Sequence, residues 1–346
     1  MTSRLAAAQH GKLIKGVVGV LTVAALSAAS YTWIARSSAP LPGPLEPLVI
    51  ATNVVYAGSC SIFVALENGY FAEEGLQVTI QPHTSGKAAL DATLQGKANL
   101  GTSADIPIML AVTRGKPVST IATIFATKSD YEIVGRIDRG IVTPASLRGK
   151  RIGVSLGTSG HFVLDAFLNR QKLSSDDVTV LDLKPEDIAS AFEKGDIDAA
   201  ATWEPYVGRI REQAGTNGTA FSANGVYDAT YSVSGTQEYV ASHRDTIKKV
   251  LRALVSGGGF CKDTPDTARE ITAKFMKVDA AKLKAFWPSY RFDITLDQSL
   301  VLALEDETRW AIKNKLSGRD DMPNYLDHID MDGLLAVRPS AVTIIR

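Results

Sequence analysis

The chain reads as an α/β protein of two similar lobes. Each lobe is a mixed, mainly parallel sheet flanked by helices, and two extended crossings join them around a ligand cleft. Three observations point there. Short apolar runs alternate with helical patterns from Leu48 onward, as in Leu48-Val49-Ile50-Ala51, then Ile62 to Gly69, then Val78-Thr79-Ile80. The same order starts again at Arg151. Strands end and helices begin in small polar residues, such as Ser85-Gly86-Lys87 and Gly157-Thr158-Ser159-Gly160, which places backbone donors along one sheet edge.

A length of 346 residues suits about two lobes rather than one small core. Formal net charge is +0 and no Lys/Arg cluster is visible, so nothing points to nucleic acid as a partner. Residues 1–36 differ from the rest. Arg4, Lys12 and Lys15 precede an uncharged run from Gly16 to Ala35, closed by Arg36. This pattern predicts an export signal, and the run is also long enough for a membrane anchor; cleaved and anchored forms both stay open. Residues 37–47, with Pro40-Leu41-Pro42-Gly43-Pro44, read as a stiff linker.

The first lobe is expected to take residues 48–133 and 236–320, and the second 134–235. In the second, Ile152–Ser155, Val178–Leu181 and Asp198–Thr202 are strands, and Phe162–Gln171 and Pro185–Lys194 are helices. Aligning Gly96 with Gly195 matches Gly96-Lys97-Ala98-Asn99-Leu100 to Gly195-Asp196-Ile197-Asp198-Ala199, and Ser103-Ala104-Asp105 to Thr202-Trp203-Glu204. In both, a Gly ends a helix in the left-handed region and the next strand turns back at once. Tyr131–Val134 and Tyr231–Val240 read as the hinge crossings. Beyond His243 the chain is helical, over Asp245–Val255, Pro265–Met276, Ala280–Phe286 and Leu296–Lys315, with Gly257-Gly258-Gly259 interrupting the first. Residues 321–346 form a tail that docks on the surface.

The site residues follow from the strand-to-helix turns. Helix starts at Ser61, Gly86, Asp105, Gly160 and Pro205 face one cleft, each with unpaired N–H groups and about half a positive charge. Ser59, Ser85, Ser103, Thr158 and Ser159 add hydroxyls, and Lys87 or Lys128 a full charge. His161 is either a donor to an anion at the Gly160 helix start or a surface histidine, while Asp105 is placed to cap its own helix. Trp203, Tyr56, Tyr227 and Phe162 are candidates to wall an apolar part of the ligand. Glu204 is the sharpest single residue: it either caps the helix in front of Pro205 or pairs with a cation on the ligand, and a carboxylate in an anion-friendly cleft suits a zwitterion. Cys60 falls in a ligand loop, either as a contact or as a small buried residue; it and Cys261 are the only cysteines and an exported protein could join them.

Several of these stretches carry a family resemblance. They are Gly69-Tyr70-Phe71-Ala72-Glu73-Glu74-Gly75-Leu76-Gln77-Val78, Gly96–Gly101, Gly115-Lys116-Pro117-Val118, Leu147–Val154 and Trp203-Glu204-Pro205-Tyr206. In order along residues 48–320, they resemble the periplasmic substrate-binding proteins of nitrate/sulfonate/taurine-type ABC transporters. The resemblance implies a bilobal, type II binding-protein fold and a monomer that closes on a small anionic or zwitterionic solute. It implies delivery to a permease and its ATPase, a periplasmic location, and no cofactor or metal. It also implies a role for Glu204 opposite a ligand amine, as in taurine binding. Aliphatic sulfonates are favoured, with nitrate, bicarbonate or a thiamine-precursor-like compound as alternatives. Relatives that make the thiamine pyrimidine carry a Cys-rich motif, which this chain lacks. Two other classes compete: an enzyme on the same scaffold, for which Cys60 with His161 or His83 is the single candidate pair, and a membrane-anchored sensor.

Overall fold

The computed structural model describes residues 44–345. The expected export segment and most of the linker lie outside the described residues. From Leu45 onward the chain packs as one unit. No helix among the described residues is long and apolar enough to cross a membrane.

The first half runs β1 (Glu46–Asn53), α1 (Cys60–Glu67), α2 (Tyr70–Glu73), β2 (Leu76–His83), α3 (Gly86–Leu94), β3 (Leu100–Ala104), α4 (Asp105–Thr113) and β4 (Val118–Thr127). The second runs β5 (Tyr131–Arg136), β6 (Arg151–Val154), α5 (Ser159–Arg170), β7 (Thr179–Asp182), α6 (Pro185–Lys194), β8 (Ala199–Trp203), α7 (Tyr206–Ala214) and β9 (Gly218–Ser222). Then come β10 (Ala229–Thr236), α8 (Gln237–Ser242), α9 (Arg244–Asp263), α10 (Pro265–Met276), α11 (Ala280–Lys284), α12 (Gln298–Lys313) and α13 (Met331–Val337).

Two five-stranded sheets result, ordered β2-β1-β3-β10-β4 and β7-β6-β8-β5-β9. The two orders superimpose. In each, the fourth strand runs against its neighbours: β10 is antiparallel to β3 and β4, and β5 to β8 and β9. The other inner pairs are parallel, with Ile50 opposite both Ile80 and Leu100. β3 and β8 hold equivalent central places, as the alignment of Gly96 with Gly195 expects. Both glycines are left-handed, at φ 73 and 77, a region that costs other L-residues.

The reversed strands correct the expected crossings. Tyr131–Val134 belongs to β5 and Tyr231–Thr236 to β10, so both lie inside sheets. The chain instead changes sheet over residues 128–130 and 223–228. Extended apolar sequence marks a strand and a hinge alike; only the pairing on both sides, which satisfies the backbone, separates them.

Helix α6 shows how one element is made. Pro185 opens it, Gly195 closes it, and Ile188, Ala189 and Phe192 form the buried face. Burying Ile188 and Phe192 is worth about 1.5–3 kcal/mol each. At the start of β6, Arg151 reaches Asp198 at 2.8 Å, and that bond is the main cause of the lowered Asp198 pKa.

Helix α9 passes through Gly257-Gly258-Gly259 without a break, against expectation. The glycines are contact points rather than a stop. A Cβ at Gly257 would stand 2.2 Å from the Ser61 carbonyl oxygen, and one at Gly258 2.6 Å from that of Phe292. This close approach of α9 to α1 lets Cys60 and Cys261 form a disulfide, with Cα atoms 6.4 Å apart. The tail docks by backbone bonds from Leu296 to the Ala341 carbonyl and from Thr343 to the Leu296 carbonyl, each 2.9 Å.

Candidate functional site

A small cavity of about 30 Å³ lies between the two sheets. Its polar rim comes from strand-to-helix turns of both lobes. The turn after β2 brings Ser85, Gly86 and Lys87; the turn after β6 brings Thr158 and Ser159. Helices α3 and α5 therefore start at the cavity from opposite lobes. Their first-turn N–H groups have no intrahelical acceptor, and each start carries the positive end of a helix dipole. Ser85 caps α3 by accepting from Ala88 N at 3.2 Å. The Thr158 hydroxyl donates to the Ser155 carbonyl at 2.7 Å, which ties the second turn. Gly86 is required for packing: a Cβ there would stand 2.9 Å from the Tyr231 ring.

The walls are aromatic. Tyr56 and Tyr231 come from the first lobe, Tyr131 and Trp203 from the second. The Tyr56 and Tyr231 rings meet edge to face at 5.1 Å, and Tyr131 and Trp203 are 6.4 Å apart. A buried hydroxyl ladder holds the floor. Thr52 bonds Ser59 at 2.9 Å and Thr102 at 2.7 Å, and Thr102 bonds the Tyr231 hydroxyl at 3.0 Å. The Tyr56 hydroxyl donates to Asp130 at 2.9 Å. Burial raises the Asp130 pKa to about 6, against the lowering by its tyrosine donors.

Of the expected residues, Ser85, Gly86, Thr158, Ser159 and Trp203 line the cavity, and so do Tyr56 and Lys87. The others are elsewhere. Ser59 is consumed in the hydroxyl ladder, donating to the Asn53 carbonyl at 2.9 Å. Cys60 is fully buried in its disulfide, which removes it as a ligand contact and as a nucleophile. Ser103 is buried behind Ala104 and its hydroxyl meets no partner among the described residues. Asp105 is buried, accepting from Ile106 N at 2.8 Å and the Thr230 hydroxyl at 2.9 Å, and bonded to the Tyr227 hydroxyl. Tyr227 in turn meets the Ser159 hydroxyl at 3.0 Å, so both act one step behind the rim. His161 packs edge to face on Trp310 at 5.3 Å, and burial lowers its pKa. Phe162 packs on the same Trp310, and Lys128 pairs with Asp228 at 2.8 Å beside the crossings.

Glu204 is the main displacement. It lies outside the cavity and lines a second crevice with Tyr206, Arg209, Arg211 and Tyr290. The reason is local: Trp203 ends β8, and successive residues of extended chain point to opposite sides. With Trp203 at the cavity, Glu204 is turned away. Its carboxylate accepts from Gly208 N at 3.1 Å, and burial raises its pKa to about 7. Helix α7, the helix that follows Pro205, opens on this crevice too. Asn53, Ala104, Pro107, Tyr131 and Tyr231 line the cavity without having been singled out as ligand contacts. Tyr131 and Tyr231 looked like hinge residues because their strands looked like crossings.

Bonds between the lobes enclose the cavity. The Tyr206 hydroxyl donates to the Thr84 carbonyl at 3.0 Å. Asp165 of α5 accepts from Trp310 Nε1 at 2.7 Å and from Asn314 Nδ2 at 3.2 Å, both on or just after α12. Lys282 and Glu212 meet at 2.7 Å.

Two lobes of matching topology, joined by two short crossings and enclosing a cavity at their helix origins, define a bilobal binding protein of the periplasmic type. The chain belongs to the NMT1/THI5-like family, whose model matches residues 57–268. It is 31% identical over 246 residues to a putative binding protein of Brucella abortus strain 2308, covering 69% of this chain and 74% of that one. It is 26% identical over 225 residues to a putative aliphatic sulfonates-binding protein of Bacillus subtilis, covering 63% and 67%. Its fold matches the alkanesulfonate-binding protein SsuA from Xanthomonas axonopodis pv. citri bound to MOPS, with a TM-score of 0.73, 18% identity, and 84% and 99% of the two chains covered.

Proposed function

We propose that this chain is the solute-binding component of an ABC importer, capturing a small organic anion of the sulfonate class and passing it to a membrane permease. One observation carries the reading. Helix origins α3 and α5 converge from opposite lobes on a cavity rimmed by Ser85, Thr158, Ser159 and Lys87, with no carboxylate among its lining residues. An anion there gains about 0.3–2 kcal/mol per helix terminus, and bonds donors from both lobes at once, so binding favours closure. Relatives named for binding sulfonates support the class of head group. The disulfide supports an oxidising, periplasmic setting reached through residues 1–36, cleaved or retained. An enzyme needs a nucleophile or an acid–base pair at the cavity. Cys60 is spent in its disulfide, and neither His83 nor His161 lines the cavity.

The test is a thermal-shift and calorimetric screen of sulfonates, nitrate, bicarbonate, carboxylates and amino acids, with the recovered ligand checked by mass spectrometry. A sulfonate at 100 times its Kd is expected to stabilise by about 2.7 kcal/mol and to return unchanged. Binding of amino acids alone, or conversion of the ligand, rejects the reading.

A further inference from the structure

We infer that the solute is an aromatic anion, a flat ring carrying the acidic head group, rather than an alkyl anion or an amino-sulfonate; this rests on the reading above. Four aromatic side chains line one cavity, two from each lobe: Tyr56 and Tyr231 against Tyr131 and Trp203. The hydroxyls of the three tyrosines already have partners. The Tyr56 hydroxyl is bonded to Asp130 at 2.9 Å and that of Tyr231 to Thr102 at 3.0 Å. The Tyr131 hydroxyl bonds Ser159. What the tyrosines offer to the cavity is ring surface, and Trp203 adds its indole face. The Tyr56–Tyr231 pair is edge to face, the arrangement that a further ring extends by offset or edge contact. The cavity is small as it stands, so a ring would enter with the lobes apart and meet aromatic surface of both as they close, which links closure to ring contact. A puckered or linear alkyl group has no quadrupole to match.

Charge selects against a zwitterion. Lys87 is the one charged side chain lining the cavity among the described residues, and Glu204 faces the other crevice. Lys87 is paired with Asp91 at 2.8 Å, so an ammonium in the cavity would face chiefly two positive helix ends with no carboxylate lining to meet it. The ligand is therefore a head group at the α3 and α5 origins with a neutral ring among the four aromatics.

Calorimetry on the purified chain with benzenesulfonate, cyclohexanesulfonate, ethanesulfonate and taurine tests this. The first two match in size and head group and differ in planarity. Benzenesulfonate is expected to bind about fivefold or more tighter than cyclohexanesulfonate, an effect of the size found for ring pairing, with taurine weaker than ethanesulfonate. Trp203→Leu is expected to bring the benzene-to-cyclohexane ratio near one. Equal or tighter binding of cyclohexanesulfonate, or taurine above ethanesulfonate, overturns the aromatic assignment and leaves the sulfonate reading standing. Failure of all four to bind removes both. The wild-type ratio decides the matter even if Trp203→Leu does not fold.

Discussion

At the residue scale, two neighbours on one strand end divide the chemistry. Trp203 meets the cavity and Glu204 the crevice behind it. Glu204→Ala is expected to leave sulfonate affinity within about twofold, and calorimetry showing a larger loss would return the carboxylate to the ligand. Glu204 is instead expected to contribute, with Asp130, to the pH dependence of stability. Its pKa of about 7 and that of Asp130 near 6 both lie above the usual carboxylate range, chiefly through burial. The folded state holds these protons more tightly than the unfolded one. Stability is highest where both states are protonated and falls as pH rises from the unfolded values through about 6 and 7. The melting temperature is expected to be higher at pH 5.5 than at pH 8. Glu204→Gln should flatten that slope, Glu204 accounting for roughly 2–3 kcal/mol of it. Lys87→Ala is expected to weaken sulfonate binding about tenfold, as for loss of a charged hydrogen-bond donor, with little effect on melting. Residue types at the turns revealed Ser85, Gly86, Thr158 and Ser159, because a helix origin needs such residues wherever it sits. They also suggested Ser59, Ser103 and Asp105, since a hydroxyl or carboxylate serving buried neighbours looks the same in sequence as one serving a ligand.

At the element scale, α1 and α9 are held by close backbone approach and a covalent link. Gly257→Ala would press a methyl group into the Ser61 carbonyl, and is expected to cost about 1–3 kcal/mol by overpacking, read from denaturant midpoints. Reducing the Cys60–Cys261 disulfide is expected to cost about 2–4 kcal/mol, with sulfonate binding retained by the fraction still folded. If reduction leaves the midpoint unchanged, the bond does not restrain the unfolded chain. A run of three glycines looks like a helix stop by propensity; packing against α1 and the Phe292 segment overrides it. The reversed strands β5 and β10 escaped notice for a related reason: partners on both sides are non-local.

At the scale of the whole molecule, the two sheets share one strand order, and each takes its fourth strand from the stretch of chain just after a crossing. Each lobe is thus tied to both crossings. Closure is reinforced by Asp165 gripping Trp310 and Asn314 across the lobes. Asp165→Ala is expected to weaken sulfonate binding several-fold though it touches no ligand, because a less populated closed state lowers apparent affinity by its fraction. Small-angle scattering should show a larger radius for the ligand-free variant than for the wild type. An unchanged radius with unchanged affinity would mean the contact does not bias closure.

Sequence by itself determined that this is a repeated α/β chain with helix origins at the sheet edges, because periodicity and glycine-terminated helices are local properties. The family follows from short turns and strand ends spread in order along the chain. Tertiary structure alone decided which turns share a cavity, that Glu204 faces away from it, that two cysteines 201 residues apart meet, and that four rings from two lobes line that cavity. Those facts depend on how distant strands pair and how one lobe is set against the other, and no stretch of neighbouring residues encodes either.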